Sequence, residues 1–270
     1  MTTMHRTLWL PFALTACMGG QPSQTTPDAP AAPDVSLTTA GGLGERLVDG
    51  QGNTLYFFAN DVAGVAASAY AGSAWPPFNV TLPTLGDGLE ATDFDQFERS
   101  DGSYQATWKG RPLYYYAADT AANPTAGEAL GGRWFVARAY NLFFAAATAV
   151  APQGGAADAP FLTNGAGRTL YVFQKDTRGT TANVPKSDCS GTCAETWPVW
   201  SAPASLASLA LPSTIQPADL TSFTNGVADQ FVYQGWPLYF YATDTAPGDV
   251  AGAKVANWYT ATAAWNGTMP

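Results

Sequence analysis

The sequence predicts an all-β protein of two tandem, homologous antiparallel units, each about 100 residues long. Three observations carry that prediction. A decapeptide of the form G-x-x-L-Y-x-[FY]-x-x-D occurs four times, opening at Gly52, Gly110, Gly167 and Gly235. Longer stretches repeat around it: 46–61 aligns with 161–176 at an offset of 115, and 101–119 with 226–244 at an offset of 125. Charged residues make up only 12% of the chain, and Tyr, Trp, Thr and Gly are abundant, a composition suited to exported β-structure.

From the N-terminus, residues 1–16 read as a lipoprotein signal peptide. Arg6 precedes the short apolar run "TLWLPFAL", which is too short to span a bilayer. Leu14-Thr15-Ala16-Cys17 resembles a lipobox, in which cleavage leaves Cys17 as the lipidated first residue. Residues 17–40, rich in Pro, Thr, Gln and Ala, lack apolar periodicity and read as a disordered tether. A flexible chain of that length spans about 25–30 Å. The first unit is expected over 41–144, a linker over 145–159 and the second unit over 160–270.

Within a unit the decapeptide is a strand. In "TLYVF", Leu170 and Val172 share one face and Tyr171 and Phe173 the other, so both faces are apolar and both are expected to be covered. Residues 93–119 read as a three-stranded meander with turns at "SDGS" and "KGRP"; Pro112 and Pro237 suit a strand's first residue. Only one short helical turn is expected, within 194–210. The decapeptide Asp lies just past the strand, where it can accept backbone N–H groups, a Tyr hydroxyl or a Trp indole N–H. Recurrence at one structural place argues for a folding role over catalysis.

These motifs resemble a group of bacterial secreted-repeat lipoproteins marked by Y-x-[FWY]-x-x-D, a family of unknown function. The matching pairs are Tyr56 with Asp61, Tyr114 with Asp119, Tyr171 with Asp176, and Tyr239 with Asp244. "CSGTCAETWP" (189–198) and "GDVAG" (248–252) extend the resemblance. It implies an envelope location and small β-repeat modules, and it implies no substrate.

Composition excludes several chemistries. The only His is His5, in the signal segment, so Ser-His-Asp and Cys-His catalysis and His-ligated metals or haem are ruled out for the mature chain. Loss of Arg6 leaves 11 bases against 21 acids, a charge of −10 that disfavours nucleic acid as a partner. Cys189 and Cys193 are the thiols remaining beyond Cys17. In an exported chain they read as a structural disulfide, with a redox-active dithiol as the alternative. In the first unit Ala67 and Ala71 stand in their places, counted back from Trp75 and Trp197. Acidic segments such as "DTAPGDV" lack EF-hand spacing, and no carboxylate pair is singled out for glycoside hydrolysis. No cofactor or metal is expected. The expected function is a lipid-anchored envelope module for binding or scaffolding, with no assigned reaction, at the outer membrane, with an envelope protein or a glycan as partner class. The alternative is an accessory to envelope redox chemistry through the two Cys residues.

Overall fold

A computed structural model describes residues 31–146, 160–226 and 228–262. The signal segment, Cys17, most of the tether and nearly all of the expected linker lie outside the described residues. No helix among them is long and apolar enough to cross a membrane.

The described chain is all-β, built from small antiparallel pairings. In the first half, β1 (Val35–Thr38) pairs with β2 (Arg46–Asp49), and β3 (Tyr56–Phe58) with the later β7 (Trp134–Val136). β1 falls within the stretch expected to be a disordered tether; its pairing with β2 and the full burial of Val35 in the core start the folded body before residue 41. Between them β4 (Phe94–Glu98), β5 (Tyr104–Trp108) and β6 (Arg111–Pro112) form the expected meander. The second half repeats the scheme. β8 (Leu142–Ala145) pairs with β9 (Phe161–Asn164), and β10 (Tyr171–Phe173) with the final β14 (Trp258–Thr260). β11 (Leu220–Thr224), β12 (Asp229–Tyr233) and β13 (Trp236–Pro237) form the second meander. The only α-helix among the described residues is α1 (Thr192–Thr196), five residues long.

The decapeptide explains these connections locally. Its opening Gly has φ of +86°, +73°, +83° and +89° at Gly52, Gly110, Gly167 and Gly235, a region costly for any residue with a Cβ. At Lys109-Gly110 and Gln234-Gly235 both turn residues have positive φ. That is the two-residue hairpin whose twist matches its strands, and it joins β5 to β6 and β12 to β13.

The strand's alternation then divides two cores. Leu55, Phe57, Leu170 and Val172 face one large cluster that runs through both halves and includes Phe135, Phe143, Phe231 and Leu238. Tyr56 and Phe58 face a smaller aromatic cluster with Trp75 and Trp134, and Tyr171 faces its counterpart with Trp197 and Trp258. The halves are therefore not separate bodies inside. β8, which the sequence places at the end of the first unit, carries Phe143 and Phe144 into that shared core while bonded along its length to β9 of the second. Edge pairing of this kind depends on what the fold brings alongside, which the repeat pattern does not encode.

Close packing around the aromatic clusters dictates two more glycines. A Cβ on Gly127 would lie 2.5 Å from Trp75 Cη2, and one on Gly252 would lie 2.8 Å from Tyr171 Cζ and 2.9 Å from Trp197 Cη2. Gly127→Ala and Gly252→Ala are each expected to destabilise the protein by about 1–3 kcal/mol through overpacking. Denaturant titration of the two variants measures this, and the two losses should be similar.

Candidate functional site

Each half builds one cluster from its two decapeptides. Their tyrosines form an antiparallel bridge: Tyr56 and Tyr114 exchange backbone N–H···O=C bonds of 2.8 and 3.1 Å, and Tyr171 and Tyr239 exchange two of 2.9 Å. Each strand then turns, with the Asp amide donating to the carbonyl three residues back at 3.1 Å in all four copies. This turn brings the carboxylate back under the bridge.

The side chains cross over. The Tyr56 hydroxyl donates to Asp119 at 2.7 Å and the Tyr114 hydroxyl to Asp61 at 2.7 Å. In the second half Tyr171 donates to Asp244 at 2.5 Å and Tyr239 to Asp176 at 2.7 Å. Every motif tyrosine thus reaches the aspartate of the other copy. The second carboxylate oxygen holds the loop that follows its own strand. Asp61 accepts from the Ala69 amide, Asp176 from Asp188 and Asp244 from Ala251, at 2.7, 2.8 and 3.0 Å. In Asp119 that oxygen is buried and unpaired, although the Ala126 and Gly127 amides lower the group's pKa.

The rings complete the crossing. Trp75 lies flat on Trp134 at 3.8 Å between centroids and 2° between planes; Trp197 lies on Trp258 at 3.6 Å and 3°. Phe58 caps Trp134 and Tyr116 caps Trp75, each at 4.3 Å, while Tyr56 and Tyr114 present edges to the stack. The second half repeats this with Phe173, Tyr241, Tyr171 and Tyr239. The edge-on tyrosine contacts add to the burial of the rings themselves.

Burial shapes the electrostatics. Desolvation pushes the Asp61 and Asp176 carboxyls up to about 6, against the opposing pull of the Ala69 and Asp188 amides and the Tyr hydroxyls. Asp119 and Asp244 are raised for the same reason. All four motif tyrosines sit well above the phenol range, burial first and the carboxylates adding to it. Arg111 is wholly buried beside this network. It donates to the Asp61 and Phe144 carbonyls, and burial brings its pKa down to about 10.

The sequence named the Tyr and Asp residues but not their crossed partners, and it missed two supporting pairs. Ser68 and Ser187 lie 2.6 and 2.7 Å from the Tyr114 and Tyr239 hydroxyls. Gln105 and Gln230, fully buried, donate to the Leu113 and Leu238 carbonyls across the hairpin. The tryptophans are four equivalents rather than two pairs. Their signal was present: Trp75, Trp134 and Trp258 follow a motif Asp after 13, 14 and 13 residues.

Cys189 and Cys193 are joined by a disulfide, with Cα atoms 5.2 Å apart, Cys189 buried and Cys193 half-buried against the second aromatic cluster. It lies in the loop that reaches Asp176 and Tyr239 through Asp188 and Ser187. The oxygen-rich "DTAPGDV" segment is engaged internally: the Asp249 carboxylate accepts the Thr245 and Ala246 amides. Among the described residues no cluster of three or more potential metal ligands of the His, Cys, Asp and Glu types is found. Cys17 lies outside the described residues.

What emerges is a tandem-repeat protein whose repeats complete one another in pairs. The chain belongs to the Lipoprotein_15 family, a secreted repeat of unknown function, whose pattern matches residues 37–79, 96–138, 156–200 and 228–262, more than half of the sequence. Each matched stretch carries one decapeptide. No curated protein and no solved structure matches the chain.

Two measurements follow from this geometry. Asp61→Ala and Asp176→Ala leave the Ala69 or Asp188 amide unpaired and the Tyr114 or Tyr239 hydroxyl with only its serine partner, for an expected loss of about 1–3 kcal/mol; Asp→Asn should recover part of it. Acidification should act in the opposite sense to its usual effect. A carboxyl raised from 3.8 to about 6 on folding binds protons more tightly in the folded state. Its penalty at neutral pH is therefore relieved as pH falls through 6, so it favours folding increasingly down to about 4. Urea midpoints measured over that range should rise as pH falls, and the slope should shrink in Asp61→Asn and Asp176→Asn.

Proposed function

We propose that this secreted protein is a lipid-anchored envelope module for binding or scaffolding, without a reaction of its own. One observation carries the reading: all four motif carboxylates are committed to buried tyrosine hydroxyls of the same half. A catalytic carboxylate must reach substrate, whereas these join strand to loop. What repeats in the sequence is thus the frame, and the loops it displays are what remains for a partner. The anchor rests on the lipobox ending at Cys17 and on the polar stretch behind it. The wide separation of Cys17 from the folded body in the chain suits a tether at the outer membrane.

Intact-mass measurement of membrane-extracted protein should give a chain beginning at Cys17 and carrying acylglycerol. An unmodified soluble chain with another N-terminus would overturn the anchor. Purification from detergent-solubilised envelope should bring down one reproducible protein or glycan partner, and its capture should persist in Asp119→Asn. Failure to retain any partner would count against binding.

A redox role is the second reading, favoured by the half-buried position of Cys193 in the disulfide. It requires a reduction potential in the range of exchanging disulfides rather than the deeply reducing one of structural bonds.

A further inference from the structure

We propose that the lengthened loop of the second half forms a binding site for a carboxylate-bearing saccharide. The inference rests on the binding-module reading and locates its site. Its basis is a comparison of two positions that duplication made equivalent. In the first half the Gly64 amide donates to the Gly110 carbonyl at 2.8 Å; in the second, Gly179 donates to Gly235 at 2.7 Å. Beside that shared bond each half has a hollow. In the first it measures about 80 Å³ and is bordered by Val65, Ala66 and Phe97. In the second it opens to about 570 Å³. That size falls within the usual range for small-ligand sites.

The cause lies in the loop between motif Asp and Trp, which runs 20 residues in the second half against 13 in the first. Its first part is a small hairpin. Thr177 and Lys186 exchange two backbone bonds of 3.0 Å, and the Thr180 amide donates to the Asn183 carbonyl at 2.9 Å around the tip. The hairpin rises as a wall over β11 and β12. Its second part is closed by the Cys189–Cys193 disulfide and pinned by the Asp188 amide on Asp176. Both ends of the inserted segment are therefore fixed, so a ligand would meet a pre-shaped wall and little ordering entropy would be lost.

The lining has a definite chemistry. The first hollow is lined by Val65, Ala66 and Phe97 with Asp95, Gln96 and Thr107, and has no base; the second presents Thr180, Asn183, Asp219, Thr221 and Gln234, and adds the cation Arg178. Hydroxyls and amides both donate and accept, as a polyol requires. Arg178 donates through Nε to the Gln234 carbonyl at 3.0 Å, which steadies the guanidinium at the cleft; no described residue takes its terminal nitrogens. A planar fork of this kind suits a carboxylate. The net charge of −10 expected for the mature chain makes a single carboxylate on a hydroxyl-rich ring a better match than a polyanion.

Two sources share this chemistry: a muramic acid of cell-wall type and a uronic acid of capsule type. The test is a calorimetric titration of the intact mature protein with an N-acetylmuramic acid disaccharide, the monoanion galacturonic acid and neutral maltotriose. One of the acidic probes should bind about tenfold or more tightly than maltotriose, the worth of one charge-assisted hydrogen bond, and the preferred acid identifies the source. Arg178→Gln should reduce that probe to the neutral level with an unchanged melting temperature, and Asn183→Asp should weaken it further by adding like charge. Equal binding of maltotriose, or acid binding indifferent to Arg178→Gln, overturns the proposal. If no saccharide binds while an envelope protein is still captured, this site fails and the binding-module reading stands. If nothing is captured either, both fail.

Discussion

The crossed hydrogen bond between a tyrosine of one motif copy and the aspartate of the other is the constraint on which the rest of each half depends. A buried phenol and a buried carboxylate are both costly without a partner. Here each supplies the other's partner, and the geometry works only when two copies lie antiparallel with their tyrosines bridged. The carboxylate then has one oxygen left, and in three of the four copies it fixes the next loop. That loop delivers the tryptophan, and the two tryptophans of a half stack flat on one another. Strand, turn, loop and ring stack thus follow in order from one polar contact.

Much of this was legible in the residues themselves. The alternation of Leu55 and Phe57 with Tyr56 and Phe58 announced a strand covered on both faces, and the two faces do meet different clusters. The positions of Gly110 and Gly235 announced tight turns, and both adopt the left-handed backbone that such turns need. Local geometry is written in local sequence. The crossing was not legible, because a Tyr–Asp spacing of five residues looks the same whether the two groups meet each other or the reverse pair in a second copy. Nor did the charge pattern disclose Arg111, a lone base in a strand start that ends wholly buried beside Asp61.

The differences between the halves are as informative as their likeness. Where one half has Arg111 against the Phe143 ring, the other has Trp236 at the matching position and Arg168 over Phe240, so a guanidinium meets an aromatic face in both halves by different means. The internal contacts of the motif hold to within a few tenths of an ångström. Variation has settled in the loops, where a change of length leaves the crossed bonds intact. A frame closed on itself in this way tolerates a seven-residue difference between the Asp–Trp loops, 20 residues against 13.

Reciprocity also restricts how such a chain can grow. A copy added singly would bring a tyrosine with no carboxylate to accept its hydrogen bond and a tryptophan with no ring beneath it. Lengthening by one is therefore penalised, and lengthening by two is not. The four copies present here satisfy that parity. The unit of inheritance in this fold is then the couple rather than the repeat, and gene duplication would act on it in even steps.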